Sequence, residues 1–106
     1  MQELAPQALS VWLRSDKPKP ILLDVREPWE FEIGHLEGAQ LMPMSTVSAQ
    51  MSALDEEADI VVICHHGMRS QHVGAFLEHQ GFKHIYNLEG GMDRWAAEVD
   101  PKMPVY

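Results

Sequence analysis

The densest chemistry in this chain lies in seven consecutive residues, Cys64-His65-His66-Gly67-Met68-Arg69-Ser70. Cys64 is the only cysteine. An internal disulfide, a two-cysteine redox motif and a cysteine-rich zinc site are therefore excluded. What remains for it is nucleophilic chemistry or a place in a core. The residues that follow favour the first. Gly67 permits a backbone with positive φ, which a tight anion-binding loop often needs. Arg69 brings a permanent positive charge whose fork is able to hold an oxyanion by two hydrogen bonds. Ser70 can cap a helix or donate a hydrogen bond toward the sulfur, and a helix N-terminus beside the loop adds positive potential. Such surroundings stabilise the thiolate, which is the nucleophilic form of cysteine.

The other residues of the segment carry two readings each. One imidazole of His65 or His66 can hydrogen-bond a substrate or shuttle a proton. Alternatively both are exposed loop residues whose backbone amides face the site. Adjacent residues on a tight loop rarely converge on one ion, so Cys64, His65 and His66 are not read as a metal site. Met68 stands at the mouth of the site, as an apolar lip or simply as an exposed side chain. Asp24 and Arg26 lie beyond a neighbouring strand end. Their expected role is structural, with the carboxylate orienting a loop; the alternative for Arg26 is a contribution to the positive field of the site. Trp29 and Phe31 pack a short helix, and Trp29 could also wall the pocket. His35 reads as a hydrogen-bonded turn residue, Trp12 and Trp95 as core residues, and His72, His79 and His84 do not cluster.

The loop must be delivered by regular elements. Ile60-Val61-Val62-Ile63-Cys64 is rich in β-branched residues and does not alternate with polar ones, and Ile21-Leu22-Leu23-Asp24-Val25 is similar. Both read as strands buried on both faces, as in a parallel sheet covered by helices. Gln40-Leu41-Met42 and His84-Ile85-Tyr86-Asn87 read as shorter strands, and Gln2-Glu3-Leu4 as an edge strand. Pro6 suits a first helical turn, with Leu9, Val11, Trp12 and Leu13 giving an apolar face up to Arg14. Ser45 or Thr46 is expected to cap a helix carrying Val47, Met51 and Leu54. A helix from Ser70 carries Val73, Phe76 and Leu77 and ends at Gly81. Gly90-Gly91 precedes a last helix with Met92, Trp95 and Ala96 on one side. Strands alternating with helices imply βαβ units and an α/β parallel sheet, in which ligands bind beyond the carboxyl ends of the strands. Cys64 is at such an end.

Composition narrows the rest. At 106 residues and 12.0 kDa, the chain is expected to be a single domain spanning residues 1–106. Apolar residues make up 45% and charged residues 23%, which is the mix of a folded protein. Eight Lys and Arg against sixteen Asp and Glu leave a net charge of −8. Such a chain lacks the basic stripe that nucleic acid needs, and anionic membranes are disfavoured for the same reason. The longest apolar run is about five residues, too short to span a bilayer. Residues 1–20 show no basic head followed by an apolar stretch, which predicts a cytoplasmic location.

The chain resembles the single-domain rhodaneses, the thiosulfate sulfurtransferase family. Leu23-Asp24-Val25-Arg26-Glu27 is similar to the family's first signature. Glu32-Ile33-Gly34-His35-Leu36-Glu37-Gly38-Ala39 with Met42-Pro43 is similar to its second. Cys64-x-x-Gly67-x-Arg69-Ser70 is similar to its active loop, and Gly81-Phe82 with Leu88-Glu89-Gly90-Gly91 and Trp95 to its closing segment. The resemblance implies a rhodanese-like three-layer fold, a five-stranded parallel sheet with helices on both faces. It implies Cys64 as the catalytic nucleophile and His65, His66, Gly67, Met68, Arg69 and Ser70 as the substrate-binding loop, with no metal or organic cofactor. The implied reaction is transfer of sulfane sulfur from thiosulfate to a thiophile such as cyanide or a thiol, through a Cys64 persulfide. The alternative is a relay module that takes sulfur from a sulfur-carrying partner protein. Four residues separate Cys64 from Arg69, whereas related cysteine-dependent phosphatases have five. The shorter loop favours sulfur over phosphate or arsenate. A monomer or weak homodimer is expected.

Overall fold

The computed structural model describes residues 1–105. Its five strands are β1 (Gln2–Leu4), β2 (Ile21–Asp24), β3 (Gln40–Leu41), β4 (Asp59–Ile63) and β5 (His84–Leu88). They form one sheet in the order β1-β5-β4-β2-β3, with every neighbouring pair parallel. β4 is central. Leu22 pairs with Val61 and Leu23 with Val62 on one side, and Ile60 pairs with Ile85 on the other.

The lack of polar alternation in β4 has its expected cause. Ile60, Val62 and Cys64 face one core, with Leu23, Val73, Leu77, Phe82 and Ile85. Val61 and Ile63 face a second core, with Leu9, Leu22, Leu88, Met92 and Trp95. Each residue from Ile60 to Ile63 thus buries its side chain on one face or the other, as a sheet covered on both sides requires.

The helices are α1 (Pro6–Arg14), α2 (Pro28–Ile33), α3 (Val47–Gln50), α4 (Met68–His79) and α5 (Gly91–Glu98). α1 and α5 contribute Leu9, Met92 and Trp95 to the second core, while α3 and α4 contribute Val47, Val73 and Leu77 to the first. This is the predicted α/β three-layer arrangement. No helix among the described residues is long and apolar enough to cross a membrane.

Two local expectations are corrected. The segment after Pro43 is not one helix capped by Ser45 or Thr46. It divides into a 3₁₀ turn (Met44–Thr46), the single turn of α3 and another 3₁₀ turn (Met51–Ala53). The Thr46 hydroxyl donates back to Pro43 O at 2.7 Å, so it does not cap the amides ahead of it. Val47 and Leu54 are still buried, as expected. Second, α4 begins at Met68 rather than at Ser70, with Gly67 as the preceding residue. Ser70 lies within the first turn, fully buried, and its hydroxyl points to the site instead of capping.

Candidate active site

β4 ends at Ile63, and the Ile63 carbonyl accepts the Val25 amide at 2.9 Å, which holds the neighbouring strand ends level. Cys64 follows immediately, 1% exposed. The residue belongs to the apolar core and is also among those lining a cavity of about 330 Å³, with His65, His66, Met68 and Arg69.

The first turn of α5 shapes the loop. Cys64 O accepts the Met92 amide at 2.8 Å and His65 O accepts the Asp93 amide at 3.0 Å. In a trans peptide, carbonyl and amide point opposite ways. The amides of His65 and His66 are therefore turned away from α5. Only glycine fits at the point of contact. A Cβ on Gly91 would lie 2.4 Å from Cys64 O and 2.5 Å from His65 O, and its φ is +62°. Gly67, at φ +100°, turns the chain from the loop into α4, as its residue type suggested.

The sulfur has two polar neighbours. The Gly67 amide donates to Cys64 Sγ at 3.0 Å, and Ser70 Oγ lies 3.3 Å from it. Of the amides expected to form the cradle, Gly67's reaches the sulfur. The Ser70 hydroxyl donates its proton to Asn87 Oδ1. A hydroxyl has one proton, so in this arrangement Cys64 S–H donates to Ser70 Oγ. Asn87 sits on β5 and is itself fixed: its Nδ2 donates to Glu3 Oε1 at 2.9 Å and to Gly67 O at 3.3 Å.

Arg69 lines the cavity with its fork turned to a carboxylate. Nη1 donates to Glu30 Oε1 at 2.7 Å and Nη2 to Glu30 Oε2 at 2.8 Å. The Glu30 side chain is 2% exposed and that of Arg69 32%. The hydrogen-bonded guanidinium holds the Glu30 carboxyl below the usual glutamate range, against the opposing effect of burial, and Glu30 in turn raises Arg69.

Glu30 is placed by the residues expected to stand behind the site. Arg26, fully buried, donates from Nε and Nη2 to the two oxygens of Asp24 at 2.8 and 2.7 Å. It also donates to Glu30 O at 3.4 Å and to Gly34 O at 2.9 Å, at the two ends of one α2 turn. Arg26, paired with Asp24, thus holds two carbonyls, one in α2 and one at its C-terminal end, and it is not among the residues lining the cavity. The α2 capping box adds a hydrogen bond from the Glu27 amide to Glu30 Oε1 at 3.0 Å.

The remaining side chains behave as follows. His66 is exposed, with Nδ1 3.6 Å from Asp93 Oδ2, and the His65 and His66 rings meet edge to face at 4.0 Å. Met68, 80% exposed, stands at the opening. His35 accepts the turn role expected of it, with Nδ1 2.7 Å from Phe31 O and its ring stacked on Phe31. Trp95 is buried, while Trp12 is only partly so and donates to Pro18 O at 3.0 Å. Sequence reasoning missed Glu30, Asn87 and Gly91. Asn87 carried a signal, being an amide in a strand otherwise fit for burial; Glu30 carried only a helix-start signal, three residues after Glu27.

The sequence model of the rhodanese-like domain matches residues 7–98. This chain belongs to the rhodanese-like domain family. Among relatives of the domain, a thiosulfate sulfurtransferase GlpE of Pseudoalteromonas translucida is 30% identical over 88 residues, covering 83% of this chain and 84% of that protein. A probable adenylyltransferase/sulfurtransferase MoeZ of Mycobacterium tuberculosis is 35% identical over 105 residues, 97% of this chain; the chain spans only 26% of MoeZ. The crystal structure of a rhodanese-like domain protein from Staphylococcus aureus superposes with a TM-score of 0.86 at 28% identity, covering 100% of this chain and 99% of that one.

Proposed function

We propose that this rhodanese-like domain is a sulfurtransferase that carries sulfane sulfur as a persulfide on Cys64. The observation that carries the reading is the position of Cys64: it follows the end of a central parallel strand, its sulfur accepts the Gly67 amide, and the residue is among those lining the cavity. The Cys64 thiolate attacks the outer sulfur of thiosulfate or a similar donor. The S–S bond of the donor breaks, sulfite leaves with the bonding pair, and Cys64–S–S⁻ remains. A thiophile such as cyanide or a thiol then attacks the outer sulfur and returns Cys64 to the thiolate. This is double-displacement covalent catalysis in which the two half-reactions share one nucleophile. The Gly67 amide is placed to stabilise negative charge on sulfur, and the Ser70 hydroxyl joins it only by turning its proton from Asn87 to Cys64. The relative named as a thiosulfate sulfurtransferase supports this reading.

A second reading, relay of sulfur from a carrier protein, is favoured by one feature of the site. The Arg69 fork that would grip a sulfonate is already held by Glu30. The decisive experiment for either reading is intact mass measurement of the domain after exposure to a donor. A gain of one sulfur atom, lost on adding cyanide and absent in Cys64→Ser, is expected. No gain with thiosulfate or with a thiol persulfide would refute sulfur transfer.

A further inference from the structure

Arg69 is the permanent cation among the residues lining the cavity, and its charge is cancelled in place. Both terminal nitrogens are bonded to Glu30, at 2.7 and 2.8 Å, and the carboxylate is almost wholly out of solvent. Glu30 cannot swing away easily. The Glu27 amide holds Oε1, and Arg26 holds the Glu30 carbonyl while its own charge is matched by Asp24. The four charges Asp24, Arg26, Glu30 and Arg69 therefore sum to zero. Around them the chain has a net charge of −8, and the exposed Asp93 carboxylate lies beside His66. An anion arriving at Cys64 meets a closed ion pair rather than an open guanidinium fork.

Building on the sulfur-transfer reading, we propose that Glu30 is the specificity-determining residue of this site. By neutralising Arg69 it disfavours dianionic donors such as thiosulfate and biases the domain toward persulfides carried on thiols. These present less negative charge beside the transferred sulfur. In that reaction the Cys64 thiolate attacks the outer sulfur of R–S–SH. The donor S–S bond breaks, R–S⁻ leaves, and Cys64–S–SH forms with the proton kept on the transferred sulfur. No external oxidant or reductant enters. The exposed Met68 at the opening offers such a donor an apolar edge instead of a charge.

The sole cysteine makes a direct test possible. Alkylation of Cys64 by neutral iodoacetamide and by anionic iodoacetate reads the charge felt at the sulfur without any turnover. Glu30→Gln keeps the size of the side chain and an oxygen for the Glu27 amide. In that variant the iodoacetate rate is expected to rise about tenfold relative to the iodoacetamide rate. The ratio of kcat/KM for thiosulfate to that for glutathione persulfide is expected to rise by about the same factor, through KM for thiosulfate rather than kcat. A folded Glu30→Gln protein in which neither ratio moves would overturn the proposal. If the variant does not fold, wild type decides by salt titration. An open cation would make the iodoacetate rate fall steeply as salt is added; the proposal requires that it does not fall relative to iodoacetamide, and a steep fall overturns it. Absence of turnover with every donor would instead overturn the sulfur-transfer reading and the donor preference with it.

Discussion

The hydroxyl of Ser70, in the first turn of α4, gives its proton to the side-chain oxygen of Asn87 on β5. The same hydroxyl oxygen is 3.3 Å from the Cys64 sulfur. In this arrangement Ser70 Oγ is the acceptor toward Cys64, and the hydroxyl can donate to the sulfur only by turning its proton away from Asn87. Asn87 is held from behind by its bonds to Glu3 and Gly67, so the hydroxyl rotor is the part free to change.

Asn87→Ala removes the competing acceptor. Alkylation of Cys64 by iodoacetamide at neutral pH is expected to become several-fold faster. Ser70→Ala, which removes the donor altogether, should slow it. Both variants leave a buried polar partner unmatched, at a cost of about 1–3 kcal/mol by urea titration. Equal alkylation rates in the two variants would refute the rotor.

The contact between α5 and the loop is least tolerant at Gly91. A Cβ there would sit 2.4 Å from the Cys64 carbonyl oxygen, against backbone atoms that cannot step aside. Gly91→Ala is expected to lose sulfur transfer and to lower the melting temperature by several degrees, since a clash and an unfavourable φ combine. Wild-type melting and turnover in this variant would mean that α5 does not clamp the loop.

Removing Arg69 takes the ion-pair partner from the Glu30 carboxylate, whose side chain is 2% exposed, and leaves it the Glu27 amide. Arg69→Ala should cost about 1–3 kcal/mol, less than for a fully buried pair because Arg69 is part-exposed. The pH dependence has a definite sign. Glu30 titrates below its ordinary value of 4.5 in the folded protein. Its contribution is present above that value and is lost as pH falls through the lowered one. Without Arg69 the carboxylate is destabilising when ionised and harmless when protonated. The stability gap between wild type and Arg69→Ala should therefore shrink as pH falls from neutral through the carboxylate range. A gap that is constant across a pH series of urea titrations would contradict this.

Asp24→Asn removes the carboxylate charge that Arg26, fully buried, is paired with. A loss of about 3–5 kcal/mol is expected, seen as a lower urea midpoint. Because Arg26 also anchors α2 through the Glu30 and Gly34 carbonyls, fragments from limited proteolysis should map first to residues 27–38. Cleavage elsewhere, with residues 27–38 still protected, would argue against Arg26 as the anchor of α2.

Much of the architecture was legible along the chain. The β-branched run at residues 60–63 and the apolar run at residues 21–23 revealed strands buried on both faces, because a side chain's need for burial is written into each residue type. The loop from Cys64 to Ser70 was visible as a candidate site because its members are neighbours in sequence. The segment at residues 44–54 was less legible: a hydroxyl that caps a helix and one that bonds backward to a turn are the same residue type, and geometry alone separates them.

What the sequence by itself determined, then, is the sheet, the helices that cover it and the position of one thiol at a strand end, since all of these follow from local periodicity and residue type. The tertiary structure alone decided how that thiol is governed. Glu30 reaches Arg69 across 39 residues and Asn87 reaches Ser70 across 17, and the amides of α5 take the loop carbonyls. Ion pairs and hydrogen bonds of this kind depend on distances between separately formed elements, and no pattern along a single strand or helix specifies those distances.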